Sequence, residues 1–338
     1  MKVLVTGATS GLGRNAVDDL LQHGLPLRAT GRNLQQGAAL QQLGVDFEPA
    51  DLSLLTPVQA DRLLRDVDTV WHCAALSSPW GPRRAFEAAN VEATRRLAEA
   101  AVRQGVRRFV HISTPSLYFD FRHRQQIDEA WRPARPVNAY AATKGEAEAV
   151  LQSIASRHAG TTVVMLRPRA IFGPHDRVIV PRLLALMRQR GGVLPLPGGG
   201  RARMDMTYVG NVVHAMHLAS RVPGLRSGSV YNITNQAPTT LADLLQRLFV
   251  DQLGLPLRIR ALPYPLLAGV ARLLEAGGRL TGREPPFTRY SMGALHYEMT
   301  LDTGRARREL GWQPVIDLDE GIRRTAAWIR AHGTPHGL

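Results

Sequence analysis

Residues 6–13 read Thr6-Gly7-Ala8-Thr9-Ser10-Gly11-Leu12-Gly13. An apolar run over 2–6 precedes them, with the length of a buried strand. A helical pattern over 11–23 follows and stops at Gly24. Glycines at such a strand-to-helix turn let the backbone bend tightly and approach a pyrophosphate. The helix start then offers unpaired N–H groups and the positive end of a dipole to the anion. The stretch therefore predicts a dinucleotide loop: Gly7, Thr9, Ser10, Gly11, Leu12 and Gly13 are candidate cofactor contacts.

The pattern continues outward from the loop. Strands are expected over 26–30, 45–48, 69–74, 107–113 and 162–167, and helices over 57–65, 84–104 and 138–158. Strand and helix alternate, which predicts an α/β fold: a Rossmann-type, doubly wound parallel sheet with helices on both faces. After residue 170 prolines interrupt the pattern, and 191–203 reads as a linker. Helices are expected at about 211–221, 241–253, 266–279, 302–310 and 318–331. We read 1–170 as the dinucleotide-binding domain, with a later stretch of about 204–235 returning to it. Residues 171–338 are mainly a smaller, discontinuous substrate cap with C-terminal helices.

The second strand ends in Ala29-Thr30-Gly31-Arg32-Asn33, where an NAD site would carry an acid for the ribose hydroxyls. Arg32 stands there instead and could pair with a 2′-phosphate, so NADP(H) is favoured and NAD(H) is the alternative. Asp51 and Leu52, after the third strand, are placed for the adenine end, although an acid there also suits a helix cap.

Tyr140-Ala141-Ala142-Thr143-Lys144 sets a phenol and an ammonium one helical turn apart. An ammonium nearby favours the phenolate, and such a tyrosine can exchange a proton with a carbinol oxygen during hydride transfer. Lys144 can also hold the cofactor ribose. Lysine is rare in this chain: only Lys2 and Lys144 occur among 42 basic residues. Arginine cannot give up its proton and is forked, so the two are not interchangeable. The fifth strand runs into Ser113-Thr114-Pro115-Ser116, whose hydroxyls face the cofactor edge of such a sheet. His72, Cys73 and His111 lie in apolar strands and read as core residues.

Composition narrows the class. The 338 residues carry a net charge of +14, but the basic residues are scattered rather than interleaved with aromatics, which argues against nucleic acid. One cysteine excludes an intrachain disulfide and a cysteine zinc cluster, and the histidines show no metal-ligand spacing, so no metal is expected. No apolar run is long enough to span a bilayer, and the start has no signal-peptide pattern, so a cytoplasmic protein is expected.

Together these pieces resemble the extended short-chain dehydrogenase/reductases, within the NAD-dependent epimerase/dehydratase superfamily. The likeness rests on Thr6 to Gly13, Ala74-Ala75, Asn90-Val91, Ser113-Thr114, Tyr140 with Lys144, Leu166-Arg167-Pro168, Thr207-Tyr208-Val209 and Glu309-Leu310-Gly311-Trp312. The later segments Met204 to His214, Tyr231-Asn232-Ile233-Thr234-Asn235 and Pro286-Phe287-Thr288 resemble the 3β-hydroxysteroid dehydrogenase branch. That branch includes sterol-4-carboxylate 3-dehydrogenases and 2-alkyl-3-ketoacid reductases. The resemblance implies an oxidoreductase acting on a secondary alcohol or ketone of a hydrophobic small molecule. It implies Tyr140 as acid/base, Lys144 as its partner, Thr114 as the substrate-side hydroxyl and Ser113 beside it. It also places Ala74, Ala75, Pro168 and Ala170 against the cofactor. A homodimer is a possible assembly.

Two features depart from the pattern. Ser10 precedes Gly11 where extended members carry the second glycine, and Ala170 stands where nucleotide-sugar enzymes commonly carry asparagine. A nucleotide-sugar epimerase or dehydratase is the enzyme alternative; a non-catalytic dinucleotide sensor is the second.

Overall fold

The computed structural model describes residues 1–176 and 180–333. Seven parallel strands form the central sheet: β1 (Val3–Thr6), β2 (Leu27–Gly31), β3 (Asp46–Pro49), β4 (Thr69–His72), β5 (Arg108–Ile112), β6 (Thr162–Pro168) and β7 (Ser229–Ile233). Their spatial order is β3-β2-β1-β4-β5-β6-β7, so the chain reverses direction across the sheet between β1 and β4. Ligands bind in such sheets at the C-terminal strand ends beside that reversal.

Strand alternation divides the core. Val3, Val5, Trp71, Val110, Val164 and Leu166 face one side, against Ala16, Val17, Leu20, Val212 and Met216. Leu4, Val70, Phe109, Val163 and Met165 face the other, against Leu63, Leu97, Ala101, Leu151 and Ile154. A sheet covered on both faces buries nearly every position, as β1, β4 and most of β6 do, whereas the edge strand β3 buries only Phe47.

The sequence reading differs from the structure in several places, among them the seventh strand Ser229–Ile233 and the helix Val180–Gln189, neither of which was expected as such. The helix expected over 84–104 is a short turn at Arg83–Phe86, a π-helical stretch at Glu87–Glu92 and a helix at Ala93–Arg103. The widened stretch presents Asn90, whose Oδ1 accepts from Leu76 N at 2.8 Å and whose Nδ2 donates to Thr143 Oγ1 at 3.2 Å. It thereby ties the loop after β4 to the helix Ala139–Arg157 that carries Tyr140. The linker expected over 191–203 holds a strand, Val193–Pro197, paired in parallel with Arg258–Leu262. Its prolines are tolerated because the pair is two-stranded and every strand in it is an edge. A helix at Leu34–Gln42, capped by Asn33, crosses between β2 and β3 where none was expected.

The cap lies over the C-terminal strand ends. A small sheet joins Thr239–Thr240, Arg203–Met204, Met299–Leu301 and Arg124–Ile127. A separate apolar cluster, including Leu184, Leu196, Met204, Met206, Leu241, Phe249 and Ile322, packs the cap together.

One ion pair is sealed inside. Arg167, 1 % exposed, donates through Nε and Nη2 to both oxygens of Glu148, at 2.7 and 2.5 Å. Removing one member of such a pair strands a charge away from water. Glu148→Ala is expected to cost about 3–5 kcal/mol of stability, read by chemical denaturation.

Candidate active site

The glycine loop sits at the end of β1. Gly7 has φ +65° and Gly11 φ +54°, both left-handed conformations that glycine adopts without strain. A Cβ on Gly13 would lie 2.2 Å from the Gly7 carbonyl oxygen, and one on Gly7 would come within 3.0 Å of the Ala74 backbone. The loop is thus a cradle packed to its backbone, and side chains would fill it. Ser10 begins the helix Gly11–Gln22 in an extended conformation and makes no side-chain cap, which leaves the first N–H groups facing the cavity for an anion. This arrangement fits a dinucleotide pyrophosphate.

At the adenine side, Arg32 is 73 % exposed and its guanidinium lies 3.8 Å from Asp51. Asp51 accepts from the Ser53 N–H and hydroxyl as the cap of a short 3₁₀ turn that includes Leu52. Partial burial would raise its pKa, but the Ser53 hydrogen bonds and the Arg32 charge outweigh it and hold the carboxyl below the usual range. Sequence reading offered cap or adenine contact for Asp51; the cap is present.

Next to the loop opens a cavity of 570 Å³. Its walls include Ser10, Gly11 and Leu12, then Ala75 and Ser77 after β4, and Ser113, Thr114 and Ser116 after β5. Tyr140, Pro168 and Ala170 complete the sheet side. Predicted loop, strand-end and helix residues thus meet in one place. The cap closes the cavity with Met204, Met206, Leu241, Tyr290, Leu295 and Met299. Ala74 lies at the loop beneath, its N–H donating to Thr6 Oγ1 at 3.1 Å.

Tyr140 is half-buried in this wall. Burial raises its pKa above the ordinary phenol value by more than the Ser77 and Thr114 hydroxyls beside it lower it. The sequence reading expected Lys144 to pull that pKa down, but the ammonium is engaged elsewhere. Lys144 Nζ donates to the Ile112 carbonyl at 2.7 Å and to His111 Nε2 at 2.9 Å. It lies behind the cavity wall, 1 % exposed, with a pKa lowered to about 8 by burial, against smaller upward effects of Glu148 and Cys73. An ammonium has three donors. Two are committed to the strand end, which leaves one for a ligand. His111 was read as a core histidine, and it is one. Burial first, then the Lys144 charge, keep it neutral, so Nε2 is free to accept.

The hydroxyls form a line. Thr114 Oγ1 donates to Ser116 Oγ at 3.0 Å, and Ser116 Oγ is 2.6 Å from the Tyr290 hydroxyl. Ser113 points away from this line: its hydroxyl donates to Glu148 at 2.5 Å and joins the buried Arg167 pair. Tyr290 was not found from sequence. Its signal was local: Thr288 and Ser291 form a capping box that starts the helix Arg289–His296 and aims its first turn inward.

Comparison with known proteins agrees with this geometry. The profile of the NAD dependent epimerase/dehydratase family matches residues 3–234. The chain is 52% identical over 335 residues to the uncharacterized protein YbjS of Escherichia coli (strain K12), covering 98% of this chain and 99% of that one. It is 32% identical over 336 residues to a 2-alkyl-3-oxoalkanoate reductase of Stenotrophomonas maltophilia (strain K279a), covering 97% and 99%. Among solved structures, UDP-glucuronic acid 4-epimerase from Bacillus cereus in complex with NAD superposes with a TM-score of 0.75 at 21% identity, covering 98% and 99%. With the glycine cradle, the phenol-lined cavity and a family match over two thirds of its length, this chain belongs to the NAD dependent epimerase/dehydratase family, as an extended short-chain dehydrogenase/reductase.

Proposed function

We propose that this protein interconverts a secondary alcohol and a ketone on a hydrophobic substrate, such as a 2-alkyl-3-ketoacid or a sterol-like molecule, with NADP(H) as the preferred cofactor. The observation that carries the reading is the pairing of Tyr140 and Thr114 on the wall of a cavity whose cap side is methionine and leucine. An apolar cap suits an alkyl or ring body better than a nucleotide sugar, and Ala170 offers no side-chain amide to a diphosphate. The named reductase among the relatives supports the same direction.

A bound dinucleotide supplies hydride exchange with the substrate carbon. The glycine loop Gly7 to Gly13 would hold its phosphates, and Pro168 and Ala170, with Lys144 behind the wall, would receive its nicotinamide end. Thr114 donates a hydrogen bond to the substrate oxygen and so aligns it with Tyr140. In reduction the Tyr140 O–H gives its proton to that oxygen; in oxidation the phenolate takes it back. Burial raises the pKa of Tyr140, so its phenol is protonated at neutral pH and can supply that proton. Lys144 fixes the strand end under the phenol and lends its remaining donor to the ribose.

Tyr140→Phe is expected to lower turnover by about 10²–10⁴-fold while cofactor binding persists; unchanged turnover would remove Tyr140 from the chemistry. Nicotinamide absorbance with 3-ketoacids, 3-ketosteroids and nucleotide sugars separates the substrate classes.

Arg32→Ala is expected to weaken NADPH binding about 10-fold more than NADH binding, measured by fluorescence titration. Equal losses would exclude a 2′-phosphate contact.

Lys144 provides a pH test. Its folded pKa of about 8 lies below the ordinary lysine value of 10.5, so between these values the unfolded chain holds more protons and stability rises with pH. Relative to Lys144→Met, the wild type is expected to gain on the order of 3 kcal/mol between pH 7 and 10.5, followed by denaturation at each pH.

A further inference from the structure

Among the described residues, one cation on the cavity wall goes unused by the chemistry above. Arg169 follows Pro168 at the end of β6 and lines the same wall as Tyr140. Its backbone is fixed on both sides: the N–H donates to Ile233 O at 3.2 Å, and the carbonyl accepts from Thr207 Oγ1 at 2.5 Å. Its guanidinium is different. Nε is buried with no hydrogen-bond partner, and among the described residues the side chain makes no salt bridge. The ionisable groups that act on it are Tyr290 and the buried Asp205, neither within ion-pair distance. Asp205 is occupied, accepting from Leu301 N at 2.7 Å. Tyr290 is also the ionisable neighbour acting on Tyr140, so Arg169 and the phenol flank one side chain.

Arg169 is half-buried, and a buried guanidinium N–H without a partner is costly, so a ligand that accepts from this head at the cavity wall relieves that cost. We infer that Arg169 is the specificity-determining residue for an acidic substrate: it receives a carboxylate borne close to the carbon whose oxygen meets Tyr140. A carboxylate matches the planar fork with two parallel hydrogen bonds. A single negative charge also suits the place better than a phosphate dianion, since Asp205 stands nearby and one cation cannot offset two charges. The alkyl remainder of the ligand then lies against Met204, Met206, Leu241 and Met299. This inference rests on the proposed oxidoreductase reading but names a contact that can be tested without turnover.

The experiment uses the full chain saturated with NADP⁺ or NAD⁺ and two probe pairs. One pair is a 2-alkyl-3-hydroxyalkanoic acid and its methyl ester, followed by nicotinamide absorbance. The other is a 2-alkylalkanoic acid without the hydroxyl and its methyl ester, followed by calorimetric binding. In Arg169→Gln the preference for acid over ester is expected to fall about 100-fold in both kcat/KM and Kd, with Arg169→Lys recovering part of it. The loss should appear in KM more than in kcat. Melting curves of both variants confirm that they fold, and Arg169→Lys serves should the glutamine variant not fold. Equal losses for acid and ester, or a wild type that binds the ester as tightly as the acid, would overturn the inference. Arg169-dependent acid binding with no turnover of any alcohol or ketone would instead leave it standing and remove the oxidoreductase reading.

Discussion

A charge pair closed off from water organises this molecule. Arg167, from the last residues of β6, meets Glu148, two turns along the helix that carries Tyr140 and Lys144. Each charge would be prohibitive alone in that position, and together they tolerate only one arrangement of strand and helix. Ser113 bonds to the same carboxylate from the end of β5, and Tyr118 accepts from Arg167 while donating to Asn232 on β7. Three strand ends and the helix that carries Tyr140 are thus registered against a single point.

That registration explains the division of labour in the cavity. Thr114 and Tyr140 line the open space, while the Ser113 hydroxyl and the Lys144 ammonium turn into the scaffold. Lys144 deserves its rarity in the sequence for a reason beyond its charge. The short reach to the Ile112 carbonyl and to one nitrogen of His111 suits a compact, three-donor head, and a forked guanidinium would not fit both acceptors.

Much of this was legible in the residues. The loop of Gly7 to Gly13, the apolar strands and the Tyr140–Lys144 spacing carry strong local signals, because strand burial and helix period are written into neighbouring positions. Other parts are fainter. The strand Ser229–Ile233 pairs along its whole length with β6, yet its Tyr231 and Asn232 are satisfied by distant partners, Glu309 and Ile127 among them. The strand Val193–Pro197 hides behind two prolines that an edge accepts. The direction of Lys144 and the isolation of Arg169 are facts of three-dimensional contact. No spacing in the chain announces them.

Ala170 sits beside all of this with φ +45°, a backbone state that costs most L-residues about 1–2 kcal/mol and that asparagine tolerates better. Its carbonyl still accepts from Thr207 N, so the bend is held from outside rather than by its own side chain. An amide there would both ease the bend and wet the cavity. Retaining a bare methyl exchanges local comfort for a dry floor, which makes this single position a lever by which the same scaffold can be turned between sugar-like and oily ligands.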